Sequence, residues 1–316
     1  MKKLLALLLC AVLFCVPAAA AEEDLSLPAA EAPVRVWGTL THLDGGGLLV
    51  ENGSTEDLSS VILRGEDILC LDAVTGEAMD VDDIKDGETV YAWAGPVMTM
   101  SLPPQATALL IVANIPADYA APQYYEIASV TPQAVIAIYP APPLTQTEVT
   151  ATDGTVLTIT DEASVTARET GETVRLEDLV PGTRMVVWSG GQGQPQRVLV
   201  LPYQYSGYLS CDAEGTVLVN GSVLAQKAVS ADGTVLLPLR AAAEALGMTV
   251  SWDEAAGAVV EQADGSRLLS VDPGRGEIVW DGGIATPAVT AIRDGVTYVS
   301  ASALLSALEL FPADAV

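Results

Sequence analysis

From Val34 onward apolar and polar residues alternate with a period of two, the pattern of half-buried strands. Val34 to Leu40 is the first such run, and Gly45 to Gly47 turns it toward Leu48, Leu49 and Val50. Asn52-Gly53 is a hairpin signal, because both residues tolerate positive φ. Val61 to Leu63, Ile68 to Leu71, Thr89 to Trp93 and Ala108 to Val112 predict further strands, and no helical stripe of four turns appears before residue 235.

The pattern repeats at an offset of 95. Residues 75–95 (TGEAMDVDDIKDGETVYAWAG) and 170–190 (TGETVRLEDLVPGTRMVVWSG) share Thr75/Thr170, Gly76/Gly171, Glu77/Glu172, Asp83/Asp178, Gly87/Gly182, Trp93/Trp188 and Gly95/Gly190. Pro104-Gln105 and Pro195-Gln196 then precede a closing apolar strand in each copy. Two copies of one small β module follow, at 34–116 and 117–204. Trp93 and Trp188, at matching strand ends, are expected to plug the two cores. Each module resembles, by pattern alone, the short OB-like barrels of exported bacterial proteins. The tyrosines at 203, 205 and 208, with 124, 125 and 139, are read as packing surfaces between domains, with a carbohydrate-stacking platform as the other reading.

A different texture begins at Val217. Gly233 to Pro238 reads as a strand running into a helix, with proline at or near the first turn, where a missing N–H is harmless. The helix, Leu239 to Leu246, stops at Gly247, a natural C-terminal cap. Met248 to Trp252, Ala258 to Gln262 and Arg267 to Val271 follow as strands. A second half-repeat lies at offset 62: Leu239, Ala242, Ala243 and Leu246 map onto Ala301, Leu304, Leu305 and Leu308 with the same i, i+3, i+4, i+7 spacing. Two-turn helices are not stable alone, so each must cover a sheet. The fold class predicted is mainly β: two repeated, small β-barrel-like modules, then an α+β module at 208–312 with an antiparallel sheet packed on two short helices. Its structural residues are Pro238, Leu246, Gly247, Trp252 and Leu308.

These residues carry a family resemblance. VLVNG, DGTVLLPLRAAAEALGMTVSWD, a strand pair and DGVTYVSASALLSALEL resemble the bacterial stalk domain, also called the copper amine oxidase N-terminal-like domain, over residues 217–310. The first half fits throughout. The second departs: the family usually has proline where Ser300 stands and glycine where Glu309 stands, which touches the ends of the second helix. The resemblance implies a twisted antiparallel sheet wrapped on a helix. It also implies a module appended to exported bacterial proteins, often beside hydrolases or wall-binding domains, with no general activity of its own. Amine oxidase chemistry is not implied, because that enzyme needs a modified tyrosine and three copper-ligating histidines.

The N-terminus sets the expected compartment. Lys2 and Lys3, the apolar run Leu4 to Val16, Pro17 and the small residues Ala18 to Ala21 have the order of a secretory signal peptide, residues 1–21, with cleavage expected after Ala21 or Ala20. Neither Cys10, after Leu9, nor Cys15, after Phe14, has the small preceding residue of a lipoprotein site. Residues 22–33 are acidic and rich in Ala and Pro, and read as a flexible leader. No later stretch is long enough to span a membrane. Cys70 and Cys211 remain; the compartment allows a disulfide, but two small buried hydrophobes are the preferred reading.

Charge and residue counts remove whole classes of chemistry. The 316 residues include 41 Asp+Glu against 14 Lys+Arg, a formal charge of −27, which argues against general binding to nucleic acid or anionic lipid. The single histidine, His42, excludes a copper or zinc site built from several histidines of one chain. It reads as a hairpin residue rather than a general base. The acidic run Asp80 to Glu88 has Lys85 where a Ca²⁺ loop of the EF-hand type needs glycine, and its copy carries Arg175 and Pro181. A solvated turn is the preferred reading there, with an irregular calcium site left open. No catalytic, cofactor or metal-binding residue is assigned. The expectation is an exported, non-enzymatic modular protein that binds or spaces at the bacterial cell surface or envelope, its partner an exported protein or a cell-wall component. A secreted hydrolase with paired carboxylates, or an accessory or inhibitory partner of another exported protein, is the alternative.

Overall fold

The computed structural model describes residues 25–55, 58–131, 134–136 and 144–314. The signal-peptide reading at 1–21, the cysteines at 10 and 15 and the tyrosine at 139 lie outside the described residues.

The first module comprises β1 (Val34–His42), β2 (Leu48–Glu51), β3 (Ser60–Arg64), β4 (Cys70–Asp72), β5 (Thr89–Met98) and β6 (Gln105–Ala113). Its sheet runs β3-β2-β1-β5-β6-β4, and a parallel β3–β6 pairing, Ile62 opposite Gln105, closes it into a five-stranded barrel. Alternation on β1 sends Val36 and Leu40 inward, where Val50, Val61, Leu63, Val90 and Ile111 join them. Gly38 explains how β1 bends round this core. A Cβ built there would lie 1.9 Å from the Glu51 carbonyl oxygen, so only glycine lets the two strands approach so closely.

The second module comprises β7 (Gln123–Val130), β8 (Ala134–Ile136), β9 (Leu144–Ala151), β10 (Val156–Thr160), β11 (Ser164–Ala167), β12 (Arg184–Ser189) and β13 (Pro195–Val200), in the order β10-β9-β7-β12-β13-β11 with β8 added on β9. It repeats the turns of the first module. Gly76 N donates to Asp72 O and Gly171 N to Ala167 O, at 2.9 and 2.8 Å. The 3-10 turns Val81–Asp83 and Leu176–Asp178 are 95 residues apart. Gly87 N donates to Leu40 O and Gly182 N to Ile127 O, each at 2.8 Å. The copies differ in closure: no β10–β13 ladder is formed among the described residues, so the second module is a half-barrel. The β12–β13 hairpin, with strands of six residues each, is shorter than the β5–β6 hairpin of ten and nine that reaches β3 in the first copy.

The third module begins with β14 (Gly207–Cys211), β15 (Val217–Val219), β16 (Ser222–Val223), β17 (Val229–Ala231), β18 (Thr234–Pro238) and α1 (Leu239–Ala245). A meander follows: β19 (Thr249–Asp253), β20 (Gly257–Glu261), β21 (Arg267–Asp272), β22 (Glu277–Trp280) and β23 (Ala285–Pro287). β24 (Thr290–Arg293), β25 (Val296–Ser300), α2 (Ala301–Ala307) and β26 (Leu310–Pro312) complete it. The half-repeat is real in three dimensions. β18–α1 and β25–α2 are 62 residues apart, each preceded by an Asp-Gly turn with φ near +50° and +75° (Asp232-Gly233, Asp294-Gly295). β18 and β25 pair at the centre of the sheet β17-β18-β25-β24, Leu237 opposite Val299. Leu239, Ala242 and Ala243 of α1 and Ala301, Leu304 and Leu305 of α2 are buried in one core with Val260, Leu269 and Val271. At about 1.5–3 kcal/mol for each fully buried leucine, this burial rather than helix propensity holds two-turn helices in place.

One point departs from the pattern reading. Instead of a single sheet, three sheets surround the helices, because the paired half-repeats leave the β19–β23 meander as a sheet of its own and β14 recruits β26 in parallel.

Candidate functional site

The expected structural residues do not all do the same work. Pro238 is the residue at the N-terminal cap of α1, buried, and Gly247 takes φ +80° just after the helix. Leu308 is 1% exposed, whereas Leu246, its repeat mate, is half-buried at the core margin. Trp252 is 55% exposed and is not a core residue. Two residues along from the buried Val250 on β19, it shares that residue's face of the strand.

Trp93 and Trp188 are 4% and 8% exposed, yet neither plugs its own module. Both belong to a cluster between the modules, with Leu71, Ala73, Leu110 and Val112 from the first and Tyr124, Val186, Leu199 and Leu201 from the second. Trp188 Nε1 donates to the Ala73 carbonyl at 2.7 Å, and the Arg197 guanidinium lies 4.4 Å from the Trp188 ring. Trp93 meets Tyr124 with ring centroids 6.2 Å apart. Trp188 stands one residue before the end of β12, but Trp93 lies midway along β5 and not at its expected end; both turn to the outer face of their sheets, and the two outer faces cover one another. Period-two alternation assigns a face without saying which face is inside.

The second and third modules also touch. The Phe311 ring packs 5.2 Å from Tyr205, and a Cβ at Gly182 would lie 3.0 Å from Phe311 Cβ. Residues 25–33 are irregular and half-buried to exposed: Leu27 lies against the third module's core, and a Cβ at Gly215 would meet Leu25. Two leucines spaced by one residue give that segment an apolar side to bury.

Polar groups are largely engaged in holding this framework. His42 Nδ1 lies 2.8 Å from Asp86 Oδ1, and that hydrogen bond is the main reason its pKa is raised; the other ring nitrogen faces Val81 O at 3.3 Å. In the acidic run, Asp80 accepts from Asp82 N and Glu88 from Asn114 N. Cys70 and Cys211 are buried in different cores, and burial pushes the Cys70 thiol up to about 12. Glu126 is a buried carboxyl at the first junction. Burial raises its pKa, opposed by a 3.1 Å hydrogen bond from Tyr124 Oη and by the Arg184 charge. Among the described residues, no group of three or more His, Cys, Asp or Glu side chains is placed to hold a metal ion.

A surface groove lies in the third module. It has a volume of about 300 Å³ and runs between the open edges of β19 and β24, lined by Trp252, Val250, Ile292, Leu239 and Arg240. Ile292 is 54% exposed beside Trp252. Arg240 pairs with Glu244 at 3.4 Å and donates to the Val250 carbonyl on the β19 edge. An apolar floor, one exposed indole and one guanidinium suit recognition of an extended or ring-shaped partner rather than bond breaking. The exposed Trp252 is the signal sequence reasoning missed: a tryptophan closing a strand is assigned to the core by default.

Comparison with known proteins covers this module. Residues 218–310 match the family model of the copper amine oxidase N-terminal domain, a non-catalytic stalk-type domain. The match spans a little under a third of the chain. No curated protein matches the chain.

Proposed function

We propose that the protein is an exported, non-enzymatic modular protein that binds or spaces at the bacterial cell surface or envelope. The observation that carries this reading is the match of residues 218–310 to a domain without catalysis of its own. Two features support the finer reading. The modules are joined by buried contacts, Trp188 on Ala73 and Phe311 on Tyr205, which suits a spacer that must hold a distance. The Trp252 groove supplies an aromatic contact surface in a chain whose −27 charge repels polyanions.

The test is fractionation of a bacterial host making the full chain, followed by intact mass. The expected product is found outside the cytoplasmic membrane and begins at Glu22 or Ala21, and Trp252→Ala lowers the share retained by the envelope. A cytoplasmic product that keeps Met1 to Ala20 overturns export. Retention unaffected by Trp252→Ala removes the groove from the reading.

A further inference from the structure

The tip of the β5–β6 hairpin is apolar where it meets solvent. Met100, Leu102 and Val97 are 103%, 97% and 80% exposed, and no other large apolar side chain among the described residues exceeds 69%. The turn beneath them is held by its own polar groups. Thr99 N donates to Gln105 O at 2.9 Å, and Gln105 N to Thr99 Oγ1 at 2.8 Å. Thr99 Oγ1 lies 2.7 Å from Ser101 Oγ, which donates to Pro103 O at 2.8 Å. Pro103 and Pro104 have no N–H, and Pro104 O accepts from Ile62 N at 2.9 Å. Both hydroxyls are thus engaged inside the turn, while the longest apolar side chains point outward.

The internal repeat supplies a control for this feature. Between Gly190 and Pro195 the second copy turns the matching hairpin with Gly191 to Gln194 (GQGQ), whereas between Gly95 and Pro104 the first has Pro96 to Pro103 (PVMTMSLP). Closure of the first barrel uses Gln105 to Thr107, opposite Ile62 to Arg64, so Met100 and Leu102 lie outside the ladder that needs the longer hairpin. The charges differ as well. Residues 89–117 carry none, whereas the second hairpin keeps Arg184 and Arg197, although both hairpins bury a face at the same junction. Folding therefore demands neither the apolar tip nor the absence of charge around it. A protein partner tolerates charge at the rim of an apolar contact. Hydrocarbon rejects charge, and it rejects unpaired polar groups too.

We propose that this tip docks on a lipid bilayer with zwitterionic headgroups, Met100 and Leu102 entering the interface between headgroups and acyl chains. So few side chains hold weakly and reversibly, as a single short acyl chain does. A charge of −27 keeps the chain off an anionic surface, so an uncharged tip fits a surface without net charge. The tip is separate from the Trp252 groove, and the assignment stands if the envelope role proposed above fails.

The probe is phosphatidylcholine vesicles, floated with the full chain, beside vesicles doped with phosphatidylglycerol at low salt. The parent is expected to float with phosphatidylcholine and less with the doped vesicles. Met100→Ser combined with Leu102→Ser should lower the partition coefficient about tenfold or more with an unchanged melting temperature. Leu102→Asp, which sets a charge on the exposed tip, should do the same if the double variant fails to fold. Depth is read separately: Leu102→Trp should add an emission that brominated phosphatidylcholine quenches, and Val156→Trp, on an exposed position of the second module, one that it does not. No flotation, flotation unchanged by the tip variants, or equal quenching at 102 and 156 overturns the proposal. Tighter binding to the doped vesicles overturns the choice of headgroup. Tip-dependent oligomers in lipid-free sedimentation, without flotation, replace the bilayer with a second copy of the chain.

Discussion

Glu309 occupies a backbone conformation that its side chain disfavours. It follows α2 at φ +50°, where the repeat mate after α1 is Gly247 at φ +80°. An L-residue in the left-handed region costs roughly 1–2 kcal/mol, because Cβ crowds the following carbonyl. Glycine removes that cost but loses about 0.5–1 kcal/mol more conformational entropy on folding. The Glu309 side chain is exposed, so little is lost with it, and the backbone bond from Ser206 N to Glu309 O at 2.8 Å survives the change. Glu309→Gly should therefore stabilise the protein by about 0.5–1 kcal/mol. At about 2–4 °C per kcal/mol for a chain of this size class, the melting temperature should rise by roughly 1–4 °C. The assay is thermal unfolding by circular dichroism or calorimetry, with Glu309→Ala as the control that keeps Cβ and should gain nothing. An equal gain in Glu309→Ala would show that removal of a negative charge, and not the backbone, was responsible. A Glu309→Gly protein that melts at or below the parent refutes the argument.

Three further outcomes are expected. Trp188→Ala should cost about 3–5 kcal/mol, the range for emptying a buried aromatic site. Because the lost contacts join two modules, calorimetry should show the first two modules melting in separate steps; a single unsplit transition counts against the shared core. Leu308→Asp, at a position 1% exposed, should unfold the third module, since an unpaired buried carboxylate costs several kcal/mol, while Leu246→Asp at the half-buried mate should lower its melting temperature without abolishing folding; equal melts would erase the distinction. The His42–Asp86 pair should add pH dependence to the first module. A raised His42 pKa means that its stabilisation is complete below the unfolded value of 6.5 and is lost as pH rises through the folded value. The depressed Asp86 pKa means the converse at the acid side, with stabilisation lost as pH falls through its folded value. Denaturant midpoints of the parent should fall on going from pH 6 to 8 relative to His42→Gln; parallel profiles would exclude the pair.

Local chemistry determined much of this protein. The period-two runs, the Asn-Gly and Asp-Gly turns and the two short stripes at 239–246 and 301–308 are written into neighbouring residues, because strand, turn and helix each answer to spacing of a few positions. Both repeats were legible for the same reason, since a repeated module needs its turns in the same places. The end of the first helix was legible in Gly247, whereas Glu309 in the matching place hid the end of the second, which the structure shows by its φ of +50°. What the chain could not disclose locally is which face of each sheet meets another module. Trp93 and Trp188 alternate correctly and are buried as a tryptophan should be, yet the partner of Trp188 is a carbonyl 115 positions away. Closure of the first barrel and opening of the second depend on how far a hairpin reaches across space. The exposed Trp252 and the burial of Leu27 follow the same rule. Burial of a side chain is decided by what covers it, and coverage arises only when distant segments assemble.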